Sequence, residues 1–181
     1  MLTGLHKGCK QGVTFILGAI TAIGVMAAAP DKARLPGQSY EEYKALIDAM
    51  PVLFDDGNAQ ATKGVIERSF IAHMARDTDA SIAELGPDYS WNKVGATGAV
   101  KMASGLETTY QMAKKMYEGD FLDNYLGLET TPLAVIGNLG IQYEVEQFLN
   151  EDDSIFTLRT LAIYEIKDGK LWRLWSFSPS S

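Results

Sequence analysis

The chain is 181 residues long, 46% hydrophobic and 22% charged, with 16 basic against 23 acidic residues and a formal net charge of −7. This is one domain's worth of sequence plus a short extra segment, and it is too apolar for wholesale disorder. The acidic balance excludes the basic patches that nucleic acid and anionic membrane surfaces require, so neither is expected as a partner.

Residues 1–11 contain Lys7, Lys10 and His6 and no acid, Val13–Met26 is an apolar run, and Ala27, Ala28, Ala29 and Pro30 follow. A basic start, an apolar middle and a small-residue end are the layout of a cleaved secretory signal peptide, assigned to residues 1–28, with cleavage near Ala27 or Ala28. The alternative is an N-terminal membrane anchor, but the run falls short of the roughly 20 apolar residues that a spanning helix needs. The expectation is a periplasmic or secreted protein with no stable membrane insertion after cleavage. Cys9, the only cysteine, leaves with the signal, so the mature chain has no disulfide, thiolate metal site or cysteine nucleophile.

Residues 29–59 read as an N-terminal extension with one helix. Ser39 and Glu42 have capping-box spacing, Tyr40, Tyr43, Ile47 and Met50 follow at helical intervals, and Pro51 stops the run. A second helix is predicted over Gln60–Ala75, with Val65, Ile66, Ser69, Phe70 and His73 on one side. A short third helix, Ala80–Leu85, is capped by Asp77-Thr78-Asp79 and ended by Gly86-Pro87. Tyr89–Val94 reads as a short strand, and Ser104-Gly105-Leu106-Glu107 as a second capping box opening a helix that ends at Gly119.

Beyond that point the period becomes two. Asn124–Ile136, Ile141–Leu149, Ile155–Ile166 and Lys170–Ser178 read as long strands, separated by turns at Asn138-Leu139-Gly140, Asn150–Ser154 and Asp168-Gly169. Helices followed by a meander of hairpins predict an α+β fold, with N-terminal helices packed on an antiparallel sheet.

Three stretches, FIAHMARDTDASIAELGPDYSW, ASGLETTYQM and the terminal IYEIKDGKLWRLWSF, resemble the SnoaL-like branch of the nuclear transport factor two superfamily. The resemblance implies a domain over residues 60–181 in which helices close a strongly curved sheet, forming a cone with an internal pocket. Its members include ketosteroid isomerases, polyketide cyclases, limonene epoxide hydrolases, dehydratases and non-enzymatic binders, so it does not fix a reaction.

The residues narrow the chemistry. No Gly-x-Ser-x-Gly elbow, His-Glu-x-x-His or phosphate-binding glycine loop occurs, and His73 is the sole histidine of the mature chain, so no metal and no cofactor are expected. Strand alternation places Gln142, Glu144, Glu146 and Phe148 on one face and Ile141, Tyr143 and Val145 on the other. By resemblance, epoxide hydrolases carry Arg-x-Asp in this strand, pointing into the cone. Glu144 and Glu146 stand there instead, and the partnering aspartate of the last strand is Ser176. The isomerase carboxylate would fall near Asn92–Val94, its oxyanion-hole acid near Ala162 and its tyrosine near Ser69, so neither apparatus is present.

Two neighbouring glutamates in a pocket can raise one another's pKa for acid–base work, or they can form the solvated face of an ordinary strand. His73 reads either as catalytic or as a core histidine. The candidate catalytic groups are therefore Glu144, Glu146 and His73, and the candidate ligand contacts are Tyr89, Trp91, Asn92, Gln142, Tyr164 and Trp172. Trp172 and Leu174 share a strand face with Ser176, and Leu171, Arg173, Trp175 and Phe177 share the other. Apolar residues on both faces predict a sheet covered twice, by its helices and by a second copy in a homodimer. The expected function is binding of a small apolar or amphipathic organic molecule, or, as the alternative, a lyase, isomerase or hydrolase using Glu144 or Glu146 as general acid or base.

Overall fold

The structure is a computed structural model that describes residues 38–119 and 123–178. The signal-peptide reading falls outside the described residues. Among the described residues no helix is long and apolar enough to cross a membrane.

The chain runs α1 (Tyr40–Ala49), β1 (Val52–Phe54), α2 (Ala59–Met74), α3 (Thr78–Ala83), β2 (Leu85–Gly95), β3 (Gly98–Ser104), α4 (Leu106–Glu118), β4 (Tyr125–Ile136), β5 (Leu139–Leu149), β6 (Ile155–Lys167) and β7 (Lys170–Phe177). Local chemistry sets several of the boundaries. At α1 the capping box forms: the Glu42 N–H donates to Ser39 Oγ at 3.3 Å, and the Ser39 N–H donates to Glu42 Oε2 at 2.8 Å. Asp77 caps α3 by accepting from the Ala80 N–H at 2.9 Å. Asp168 and Gly169 both take positive φ, 52° and 71°, as a two-residue hairpin between twisted strands requires.

The seven strands form one sheet in the order β1-β4-β5-β6-β7-β2-β3. The expected β4-to-β7 meander is antiparallel throughout. The sheet as a whole is mixed, which corrects the all-antiparallel expectation: β7 pairs in parallel with β2, and β1 in parallel with β4. Both parallel pairs join strands distant in sequence, so no hairpin signal announces them.

Two further corrections concern single residues. The second capping box does not form. Ser104 is the last residue of β3, paired with Ser90, and Gly105 is the N-cap of α4 at φ 78°, with the Thr109 hydroxyl donating to its carbonyl at 2.8 Å. Leu171 does not share the outer face with Trp175. Ile166 pairs with Leu171 but Glu165 with Arg173, so Trp172 is an extra residue in β7. This bulge turns both Leu171 and Leu174 toward the helices.

The core lies between the helices and the inner sheet face. Ile47 and Tyr43 of α1, Val65, Ile66 and Phe70 of α2, and Trp91, Val135, Ala162 and Leu174 of the sheet form one buried cluster. A second cluster, Met116, Tyr125, Leu128, Phe148 and Leu158, closes the α4 side. A Cβ at Gly140 would overlap Ile66 Cδ1, so this glycine lets α2 lie directly on β5. Trp91 is wholly buried, and its Nε1–H donates to Ser176 Oγ at 2.9 Å. Ser176→Ala leaves that donor buried without its acceptor, and should cost about 1–3 kcal/mol, read as a lower urea midpoint at unchanged slope.

Candidate functional site

Strand β5 carries the polar stripe of the inner face. Gln142, Glu144 and Glu146 alternate with the outward Ile141, Tyr143 and Val145, and all three are buried. Each stands in a different cross-strand row. Gln142 lies beside Ala162, Glu144 lies between Thr130 and Thr160, and Glu146 lies between Leu128 and Leu158.

A cavity open to solvent on one side lies between this face and the helices, with about 670 Å³ of empty space when the solvent at its opening is included. Of the sequence-predicted residues it brings together Glu144, Gln142, Tyr164, Tyr89 and His73. The others lie outside its lining. Trp91 is packed in the core. Asn92 pairs with Trp175 across the β2–β7 ladder and donates to Ser90 Oγ at 3.2 Å. Trp172, displaced by the bulge, packs on Gly86 beneath Lys167, whose Nζ is 4.3 Å from the ring centre. Glu146 is 1% exposed, at the level of the second apolar cluster.

Two hydrogen bonds organise the cavity floor. Tyr164 donates to Glu144 Oε1 at 2.5 Å, and Tyr43 donates to Gln142 Oε1 at 2.7 Å. Tyr43 reaches in from α1 and stacks on Phe70 of α2, with ring centres 3.6 Å apart. On the helix side, His73 Nδ1 is 2.5 Å from Tyr117 Oη, which is 3.3 Å from Ser81 Oγ. Helical spacing puts Tyr43 on one stripe with Ile47 and Met50. Nothing in the pattern pairs Tyr43 with Gln142, or Tyr117 with His73, because these contacts join elements 99 and 44 residues apart.

Burial dominates the electrostatics. The Glu144 carboxyl is 5% exposed, and loss of water pushes its pKa up from 4.5 to about 8, with the Tyr164 hydrogen bond pulling partly against that rise. Tyr164 itself is held well above its ordinary value, first by burial and then by the Glu144 charge. Burial, followed by the charge of Arg76, holds His73 well below its ordinary value, so its imidazole is neutral. Glu144 is therefore largely a neutral carboxylic acid at pH 7. Among the described residues no three His, Cys, Asp or Glu side chains converge as metal ligands would.

A carboxyl whose folded pKa is raised stabilises the fold only while it is protonated. The contribution of Glu144 is full below about pH 4.5 and is lost as pH rises toward about 8. Over that window the wild type should lose stability relative to Glu144→Gln by up to about 1.4 kcal/mol per pH unit, measured by urea unfolding of both proteins across the range. Parallel curves would place the carboxyl in water.

No protein-family model and no curated protein matches the sequence. Solved structures do match the fold. A candidate ketosteroid isomerase from Kribbella flavida aligns with 67% of this chain and 80% of its own, at 18% identity and a TM-score of 0.51. A ketosteroid isomerase-like protein from Erwinia carotovora atroseptica aligns with 70% of this chain and 99% of its own, at 11% identity and a TM-score of 0.50. A nuclear transport factor two-like protein of unknown function from Burkholderia xenovorans aligns with 67% of this chain and 85% of its own, at 16% identity and a TM-score of 0.50. At such identities the likeness speaks for the backbone and not for a reaction. The chain has the α+β cone fold of the nuclear transport factor two superfamily, as its resemblance to the SnoaL-like branch implies.

Proposed function

We propose that the domain takes a small, mainly apolar organic molecule into its cavity and that Glu144 moves a proton on it, in a reaction of the isomerase, lyase or hydrolase type. One observation carries the reading: the buried Glu144 carboxyl lines a mainly apolar cavity instead of a solvated strand face. A carboxyl with a pKa of about 8 is matched to proton transfer near neutral pH. Tyr164 holds its Oε1 and so fixes which way the carboxyl points. Binding without conversion is the second reading, supported by the absence of the acids and tyrosine that the isomerase and hydrolase members of the fold use. His73 keeps a place as a neutral group in the cavity wall, and Glu146, buried behind that wall, keeps none in the reaction.

The same reading takes the protein as exported, on the pattern of residues 1–28, and as a homodimer through the outer sheet face. That face carries two apolar rows, Tyr143–Leu161–Phe177 and Ile141–Ile163–Trp175, with Tyr143 and Leu161 each 36% exposed. An Arg173–Glu165 ion pair at 3.2 Å lies beside them. A contiguous apolar surface with charged edges suits association of two copies.

Native mass spectrometry of the chain recovered from its source tests these points together. The expected species is a dimer of chains beginning between Ala27 and Asp31, and Trp175→Glu should shift it to monomer. A membrane-bound chain with Met1 retained would overturn export in favour of an anchor. The molecule that co-purifies with Glu144→Gln, once identified, should be converted by the wild type at least about 100-fold faster than by the variant. Equal, negligible conversion by both would leave binding as the function.

A further inference from the structure

Among the described residues that line it, the cavity holds one carboxyl and no lysine or arginine. Its histidine is neutral. Two of the cations on the helices above it are engaged elsewhere, Lys44 with Asp48 and Glu67 and Arg68 with Glu84, while Arg76, just after α2, acts on His73 from outside the lining. Four aromatic rings, those of Tyr43, Phe70, Tyr89 and Tyr164, stand in the same wall as the carboxyl.

We infer that the ligand is an apolar molecule carrying one protonated amine, whose ammonium group sits against Glu144 among these rings. The inference rests on the reading of the cavity as a small-molecule site, and it names the chemical class that the site selects. Aromatic faces attract a cation, and more strongly where water is excluded. An ammonium supplies the counter-charge that a buried carboxylate otherwise lacks, whereas an anionic ligand would meet no cation among the described residues that line the cavity. The net charge of −7 acts in the same sense, drawing cations to the protein and repelling anions.

Binding is then coupled to a proton. Without ligand, burial keeps the carboxyl protonated at neutral pH. When the ammonium arrives, the carboxyl ionises and its proton leaves to solvent, and the resulting carboxylate is a base beside the bound molecule. The titratable groups facing it are Tyr43 from α1, His73 from α2, Tyr89 from β2 and Tyr164 from β6, with Glu146 next on its own strand face; β4 presents Thr130. Burial raises the three phenols and lowers the imidazole, so within the cavity wall Glu144 is the group that changes charge near neutrality.

Isothermal titration calorimetry of the purified protein with 2-phenylethylamine, 2-phenylethanol and phenylacetate, at about pH 7 in two buffers of different ionisation enthalpy, tests this. The expected order is amine, then alcohol, with phenylacetate weakest. Amine binding should release close to one proton, and alcohol binding none. Glu144→Gln should weaken the amine about 10- to 100-fold, the range for losing a hydrogen bond to a charged group, and leave the alcohol nearly unchanged. Alcohol binding as tight as amine binding, with no proton released by either, would overturn the ammonium assignment and leave the cavity as a site for neutral molecules. If none of the three probes binds the wild type, the small-molecule reading of the cavity falls together with the inference.

Discussion

The fold turns on a carboxyl kept out of water next to a phenol. An isolated ionised glutamate on the inner face of a sheet would be among the costliest groups a small domain can bury. Glu144 avoids that cost by staying protonated, and Tyr164 satisfies its Oε1. The two strands beside it contribute threonines, Thr130 and Thr160, in place of the leucines that flank Glu146 one row further along. The neighbourhood is therefore polar but uncharged, and it accommodates a neutral acid far better than an ion. The same arrangement stores proton affinity. Anything that changes the local charge balance, whether a cation entering or a rise in pH, is felt first at this carboxyl.

The N-terminal segment takes part in that arrangement. Capping fixes α1 at Ser39, and its Ile47 and Met50 join the core formed by α2 and the sheet. Tyr43 then does two things at once. Its ring stacks on Phe70, and its hydroxyl satisfies Gln142, the residue two positions before Glu144 on the same strand face. Gln38, just ahead of the helix, grips the backbone of Thr130 from both sides, donating to its carbonyl at 2.9 Å and accepting from its N–H at 3.0 Å. The extension thus ties itself to the two strands that carry the polar row, and one wall of the cavity belongs to it.

Much of this was legible in the sequence, because period and parity are local properties. Alternation along Ile141–Phe148 is enough to place Gln142, Glu144 and Glu146 on one face, and the Asp168-Gly169 turn fixes the register of the last hairpin. What escaped was of two kinds. One is the single-residue insertion: the bulge at Trp172 carries no compositional mark, yet it turns Leu171 to the cavity and removes Trp172 from it. A second register shift, between Trp91 and Asn92, leaves Met102 as an extra residue of β3, again with no compositional mark. The other is pairing at long range. The strands β1 and β3 are short and solvent-exposed along most of their length, and a parallel partner far away in sequence holds β1 in place. Ser104-x-x-Glu107 has the letters of a capping box, but its serine is already spent on the β2–β3 ladder, so the helix begins one residue later on a glycine.

The contrast between Glu144 and Glu146 shows where residue type stops deciding chemistry. Both are glutamates, both are buried, and they share one face of one strand. The cross-strand neighbours of Glu144 are hydroxyl-bearing and its carboxyl lines the cavity, whereas those of Glu146 are Leu128 and Leu158, beneath Met116 and Phe148. A proton-moving group must reach both its reactant and a route by which the proton leaves, and of the two glutamates it is Glu144 that lines the cavity. At the level of Glu146 the inner face is packed with hydrocarbon, and that carboxyl does not line the cavity. In this cone a residue's row in the sheet, set by strand register over the length of β4 to β6, decides whether an acid can be chemistry or must remain part of the wall.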